Sequence, residues 1–325
     1  MTITHFNRDP RPGNYTFEQL FRGIREELAR HIEVESYDLP AGIGPLAAIR
    51  WARERAGGLN HITGDVNYLA YGLPPGRTLI TVHDLGHYSR TLKGWKKWAY
   101  RRFWLDGPLR RAARLTAISE FTKNELVRLL GIPEKKISVI PDPLLPGFAH
   151  DPKETMSEKP VILQIGSGSN KNLPRLIEAV AGLDIQLLLV NRLSDPALKA
   201  RMDELKITYE QRSDLDFKGL LQAYRDCDIL FFASEYEGFG MPILEAQATG
   251  RPVITSNIAS MPEVAGEDGA ILVDPSSIQE IRQAILTLVS DRDRCERLIP
   301  AGLDNVKKYA VEEIARKYLE VYAEF

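Results

Sequence analysis

Cysteine is nearly absent from this chain. Cys227 and Cys295 are the only two in 325 residues, too few for a disulfide framework or a Cys-rich zinc site. Long apolar runs are missing as well, since none reaches the ~18 residues that a membrane-spanning helix needs. The opening stretch, MTITHFNRDPRPGNY, has no apolar signal core. There is no short-period repeat and no low-complexity tract. The formal net charge is only −2, which excludes a histone-like or broadly acidic character. What remains is an ordinary globular composition, 44% hydrophobic and 26% charged, in a chain long enough for two domains and a sizeable core. The expectation is a cytoplasmic protein, at most peripheral at the inner face of a membrane.

The near-neutral sum hides an asymmetry. Residues 1–150 hold 22 Lys and Arg against 15 Asp and Glu, whereas the rest hold 20 against 29. Nine cations and a single acid, Asp106, lie between Arg90 and Arg114.

Short β-branched and aliphatic runs alternate with longer amphipathic stretches. Strands are expected at 2–6, 32–35, 78–82, 115–118 and 138–140, then at 161–165, 186–190, 229–233, 253–255 and 271–273. Helices are expected between them, among them 15–30, 45–56, 95–105, 120–130, 173–183, 196–205, 219–225, 242–249 and 277–289. This alternation implies βαβ units and parallel sheets covered on both faces. Five of the twenty prolines fall between Pro141 and Pro160, which marks a boundary, because proline lacks the donor that sheets and helix interiors use. The expected organisation is a first α/β domain over 1–145, a Pro-rich linker over 146–159, a second α/β domain over 160–303 and a terminal helix over 304–325.

Four segments carry candidate chemistry. The densest is Ser234-Glu-Tyr-Glu237-Gly-Phe239-Gly240-Met241-Pro-Ile-Leu-Glu245, which follows a buried strand. Open parallel sheets bind ligands at strand carboxyl ends. Gly238 and Gly240 allow close backbone approach, and a helix starting at Pro242 aims free N–H groups at the loop, suited to an anion. Glu237 and Glu245 are acceptors for a vicinal diol. The same residues also read as a turn edged by solvated acids. The second segment, Gly166-Ser167-Gly168-Ser-Asn170-Lys171-Asn172, has the small residues, backbone donors and cation of a phosphate cradle. It lacks the third glycine of the dinucleotide fingerprint and the Gly-Lys-Ser/Thr of a P-loop, and alone a tight turn explains it.

The third, Thr81-Val-His83-Asp84-Leu-Gly86-His87, invites a metal reading. That reading needs a helix to align both histidines. Here a strand runs into His83 and Gly86 is expected to break any helix, so His83 is read as a strand-end histidine facing a cleft. The fourth is Lys93-Gly-Trp95-Lys96-Lys97-Trp98-Ala99-Tyr100-Arg101-Arg102-Phe103-Trp104. On a helical wheel Trp95, Trp98, Ala99 and Phe103 share a face opposite Lys97 and Arg101. Aromatics among cations suit an anionic membrane surface or a lipid-linked phosphate acceptor. They also suit single-stranded nucleic acid, or a helix that packs its rings on the core.

Together these residues resemble a retaining glycosyltransferase of family 4. The resemblance rests on Thr81-Val-His83-Asp84, Ala117-Ile-Ser119-Glu-Phe, Ile137-Ser-Val-Ile-Pro141, Gly166…Lys171-Asn172 and Glu237-Gly-Phe-Gly-Met-Pro-Ile-Leu-Glu245. Ala248-Thr-Gly250-Arg-Pro-Val253, Met261-Pro-Glu263-Val-Ala-Gly266 and Leu272-Val-Asp274-Pro275 complete it. The resemblance implies a GT-B fold: two Rossmann-like domains with parallel sheets facing across a cleft, and a C-terminal helix crossing back to the first. It implies transfer of a sugar from a UDP- or GDP-linked donor to a glycan or lipid-linked acceptor, with retention and without metal or other cofactor.

By that likeness the second domain binds the donor. Glu245 binds the ribose, Glu237 the sugar hydroxyls, Lys171 the diphosphate, and the Phe239–Gly240–Met241 backbone the sugar and phosphate. Gly166, Ser167, Gly168 and Asn170 cradle the phosphates, and His83 contacts the sugar from the acceptor-side domain. The family's usual phosphate-loop arginine is missing, which shifts that role to Lys171, backbone amides, Arg192 or Arg212. The usual double-glycine loop near the N-terminus is replaced by residues 7–14, whose arginines, Arg8 and Arg11, suit an anionic acceptor. Lys93–Arg114 is the candidate membrane surface, and no nucleic acid is expected. Rival readings are a nucleotide-sugar epimerase of the same fold and a non-catalytic nucleotide-sugar binder.

Overall fold

The computed structural model describes residues 2–9, 16–153, 155–166 and 168–325. They form two compact units, Met1–Leu145 with Tyr309–Phe325, and Pro146–Lys308.

The first unit holds β1 (Thr2–Asn7), β2 (Glu33–Asp38), β3 (Leu59–Ile62), β4 (Thr78–Val82), β5 (Arg114–Ala117) and β6 (Ile137–Val139). They make one sheet in the order β2-β1-β3-β4-β5-β6, parallel throughout. Every residue of β4 is buried, whereas β2 at the edge is largely exposed. Covered central strands are apolar on both faces, and a polar edge discourages pairing with another chain. The sequence reading missed β3 because Asn60 and His61 interrupt its apolar run.

Helices Thr16–Leu28 and Val311–Tyr322 cover one face of this sheet, where Ile3, Leu59 and Leu79 meet Ile24, Ile314 and Tyr318. A row of polar side chains crosses the same face. His61 Nδ1 meets the Tyr322 hydroxyl at 2.7 Å and its Nε2 meets Thr81 Oγ1 at 2.7 Å. His5 Nε2 meets the same Tyr322 hydroxyl at 3.0 Å, and Thr81 bonds Thr116. Buried polar groups need such partners. Tyr318 and Tyr322 therefore complete the first unit in hydrogen bonds as well as in packing.

Burial holds these histidines neutral. It pushes His5 down to about 3 and His61 well below its ordinary value. The unfolded chain protonates both near 6.5, and the folded protein does not. Between pH 6.5 and about 3 the unfolded state thus binds more protons, so stability falls as pH falls, by about 1.4 kcal/mol per pH unit for each neutral histidine. Above 6.5 they contribute no slope. The substitution His5→Gln takes one proton out of this dependence. Unfolding free energies measured at stepwise lower pH read it, and an unchanged slope would sink the account.

The second unit holds β7 (Val161–Ile165), β8 (Gln186–Val190), β9 (Thr208–Arg212), β10 (Ile229–Phe232), β11 (Val253–Ser256) and β12 (Ile271–Val273). Their order is β12-β11-β10-β7-β8-β9, again all parallel. From β7 the chain moves outward to β8 and β9, then returns to β10 on the other side. The strand order reverses between β7 and β10, and a crevice opens there at their carboxyl ends. β9 escaped the sequence reading because Thr-Tyr-Glu-Gln-Arg is an exposed edge with no apolar run. Helix Arg292–Asn305, with Pro300 inside it, also went unread.

The Pro-rich stretch after Leu145 is tied into this second unit. Lys153 Nζ lies 2.9 Å from the buried Asp228, whose other oxygen accepts from the Val161 amide at 2.8 Å. Among the described residues no helix is long and apolar enough to cross a membrane.

Candidate active site

Two loops flank the crevice between β7 and β10. The first runs from Gly166 to Asn172. Gly166 has φ +100°, and a Cβ on it would stand 2.8 Å from Lys171 Cε. Glycine therefore meets two needs there, a left-handed backbone and room for the lysine stem. Asn172 is also left-handed, at φ 60°. Its amide explains the exception, because Nδ2 donates to Ala233 O at 3.0 Å and to Pro275 O at 2.7 Å. One side chain thus fastens the loop to the end of β10 and to the turn after β12.

The second loop runs from Ala233 to Gly240. Ser260 Oγ donates to Glu237 O at 3.0 Å and to Phe239 O at 2.6 Å, which fixes its backbone. Gly240, at φ +118°, opens helix Met241–Ala248, with Pro242 in its first turn.

The two loops meet through named atoms. Lys171 Nζ donates to Glu237 Oε1 at 2.6 Å, and Asn170 Nδ2 donates to the same oxygen at 3.1 Å. The Glu235 amide donates to Asn170 O at 2.8 Å. The ammonium also stands 4.7 Å from the Phe232 ring centre, a cation–π approach. Lys171 and Glu237 keep 20% and 15% of their side-chain surface exposed, so the pair is sheltered yet open to a ligand. A cavity of about 240 Å³ adjoins the loop, lined by Gly166, Gly168, Asn191 and Arg192. A larger one, about 360 Å³, lies beside Asp228 and Arg251 where the strands begin. That is the end of a parallel sheet opposite to where ligands bind.

Glu245 sits differently from its partner in the motif. It is buried, and the Tyr224 hydroxyl donates to its Oε2 at 2.5 Å. Burial pushes its carboxyl up to about 7, and the bond from Tyr224 pulls in the other direction. The sequence reading missed Tyr224, since one tyrosine on helix Phe217–Asp226 looks like any core aromatic. It also missed Arg175, which donates to Asn172 Oδ1 at 2.8 Å and to Glu235 Oε1 at 2.5 Å.

The cations offered in place of the absent arginine are both occupied. Arg192 is paired with Asp214 at 2.7 Å, and Arg212 with Glu210 and Asp226 at 2.6 Å each. Ser167 and Arg11 lie outside the described residues, and Arg8 is buried.

His83 belongs to the first unit, just past β4. Its Nε2 donates to Thr63 O at 2.8 Å. A carbonyl only accepts, so Nε2 carries a proton. Gly86 does not break a helix as expected. It enters a helical turn that continues as a π-helix over His87–Thr91, while His83 stays in extended chain outside it. Asp142, unremarked in the sequence, is buried here; burial pushes its carboxyl up, and His83 acts against the rise.

Two family models tile the chain. Glycosyltransferase Family 4 matches residues 3–144 and Glycosyl transferases group 1 matches residues 148–304. The chain belongs to these glycosyltransferases. O-antigen chain mannosyltransferase B of Escherichia coli is 26% identical over 272 residues, 76% of this chain and 70% of that protein. The MMP alpha-(1->4)-mannosyltransferase of Mycolicibacterium hassiacum is 30% identical over 162 residues, 47% of this chain and 39% of its own. This glycosyltransferase shares its fold with Anabaena Alr3699/HepE, solved in complex with UDP and glucose, at a TM-score of 0.75 and 17% identity over the whole of both chains. The GT-B expectation therefore holds.

Proposed function

We propose that this glycosyltransferase takes a UDP- or GDP-linked hexose into the crevice between β7 and β10. It passes the sugar, with retention, to a glycan or lipid-linked acceptor of the cell envelope. The observation that carries the reading is the Lys171–Glu237 pair, which joins the two loops where the strand order reverses. Two named relatives are mannosyltransferases, and a structural neighbour was solved with UDP and glucose, which supports a hexose on a nucleoside diphosphate.

In this reading Glu237 accepts hydrogen bonds from sugar hydroxyls and Lys171 faces the diphosphate. Negative charge builds on the phosphates as the glycosidic bond breaks, and a cation already in place stabilises it. No metal or other cofactor is assigned, since Lys171 and the amides at the start of helix Met241–Ala248 supply the positive field. Gly166, Gly168 and Asn170 bring backbone and amide groups to the phosphates, as Phe239, Gly240 and Met241 do to the sugar. Glu245 takes the ribose diol.

The test is a panel of UDP- and GDP-hexoses, read by nucleotide release and by binding. Turnover of at least one is expected, and failure of every donor to bind overturns the proposal. Glu245 adds a signature. Below about 7 it is protonated and accepts poorly; above 7 it is a carboxylate that accepts both diol hydrogens. Donor affinity should rise as pH rises through about 7, and Glu245→Gln should flatten that rise. A flat wild-type profile would remove Glu245 from the ribose.

A further inference from the structure

In the basic, aromatic stretch after His87, Trp95, Trp98 and Phe103 share the exposed side, the grouping that the helical wheel suggests. Helix Gly94–Tyr100 runs into a π-helix over Arg101–Asp106, where residues five apart come together. Trp98 and Phe103, five apart, meet edge to face at 6.4 Å.

The inward side is made by other residues. Tyr100 stacks on Trp104, and Trp104 packs on Tyr68 at 4.5 Å. Lys97 and Arg101, on the face opposite those rings, are half-buried. Lys97 Nζ stands 4.9 Å from the Tyr88 ring, and Arg101 pairs with Asp106 at 3.1 Å.

Several of the nine cations are also internal fasteners. Arg110 donates to Leu130 O, Arg111 to Ala70 O and Leu73 O, and Arg114 pairs with Glu324. What points outward is narrower than the sequence implied. Trp95 is 75% exposed, Trp98 65% and Phe103 54%. Lys93, Lys96 and Arg102 are exposed beside them, with no ion-pair partner among the described residues. Asp106, the one acid of the stretch, is spent on Arg101.

Scattered exposed apolar residues are ordinary, but three large aromatics on one stretch, set among cations and no free acid, are not. Indole rings settle at the boundary between water and acyl chains. Lysine and arginine beside them are attracted by anionic headgroups. Single-stranded nucleic acid also takes aromatics and cations, but it lies in a groove, whereas these rings stand on the outer side of a surface helix. We propose that Trp95, Trp98 and Phe103, with Lys93, Lys96 and Arg102, form a docking surface for an anionic lipid bilayer. The proposal is independent of the donor site, because all six residues belong to the first unit.

The test spins the full chain with pure phosphatidylcholine vesicles and with mixed phosphatidylcholine–phosphatidylglycerol vesicles. It should pellet with the mixed vesicles only, less so as salt is raised, and its tryptophan emission should shift to the blue. Replacing Lys93, Lys96 and Arg102 together by Ala should lower partitioning roughly 100-fold. The pair Trp95→Ala and Trp98→Ala should lower it about tenfold or more. Both sets are exposed, so thermal unfolding should stay where it is. Equal pelleting with neutral vesicles, no pelleting at all, or variants that partition like wild type would each overturn the proposal. So would tighter binding to a single-stranded oligonucleotide than to the mixed vesicles.

Discussion

Lys171→Met should lower kcat by about 100- to 1,000-fold, the scale for removing one preformed group that meets charge developing in a transition state. The ammonium is set before any donor arrives, held by Glu237 at 2.6 Å and by the Phe232 ring at 4.7 Å. Its stem runs close over Gly166, so no reorganisation is needed as the phosphates charge. Stability should change little. The side chain is partly exposed, and Glu237 keeps its bond from Asn170. Lys171→Arg should not restore the rate, because a planar guanidinium is bulkier than the stem that passes Gly166. Steady-state kinetics with the donor found in the panel, alongside urea unfolding, separate the two effects. A folded Lys171→Met protein with near wild-type kcat would take the lysine out of the chemistry.

The largest stability effect should come from Arg251→Ala, at about 3–5 kcal/mol. Arg251 is 2% exposed and sits after helix Met241–Ala248. Its guanidinium donates to Tyr224 O at 2.9 Å, Asp151 O at 2.6 Å, Thr249 O at 3.0 Å and Arg225 O at 3.2 Å, and reaches Asp151 Oδ2 at 3.3 Å. Alanine leaves those carbonyls without their donor, and each such loss is costly. Lysine cannot substitute, since one ammonium has three donors and no fork. The defect should also reach the site, because Arg251 holds the backbone of Tyr224, whose hydroxyl holds Glu245. Denaturant unfolding reads the loss, and a change under about 1 kcal/mol would show that the guanidinium is replaceable.

The central strands were legible because nothing in them competes. Val161–Ile165, Gln186–Val190 and Thr78–Val82 are short aliphatic runs that only a covered parallel strand explains. β3 was hidden because its polarity is structural. Asn60 bonds Gly57 and Arg77 O, and His61 bonds Tyr322 and Thr81, partners that lie far away in the chain. The motif residues were legible by type, but their meeting was not. Lys171 and Glu237 are 66 positions apart, and only the return of the chain from β9 to β10 makes them neighbours. Tyr224 gave no signal, since a core tyrosine is common, and Arg251 was visible only as part of Ala248–Val253, because the carbonyls it holds come from distant stretches of chain. The wheel grouped Trp95, Trp98 and Phe103 as the structure does, but periodicity alone does not say which face meets solvent, and here it is the aromatic one.

The packing of helix Val311–Tyr322 against β1, β3 and β4 has a consequence for synthesis. The ribosome makes the whole of Pro146–Lys308 between Leu145 and the residues that close the first unit. At ~5–20 residues per second that interval is on the order of ten seconds or more. During it Ile3, Leu59 and Leu79 have helix Thr16–Leu28 but not Ile314 and Tyr318 to pack on, and His61 is without its tyrosine. The first-made half of the chain is therefore completed only by the last residues to be made.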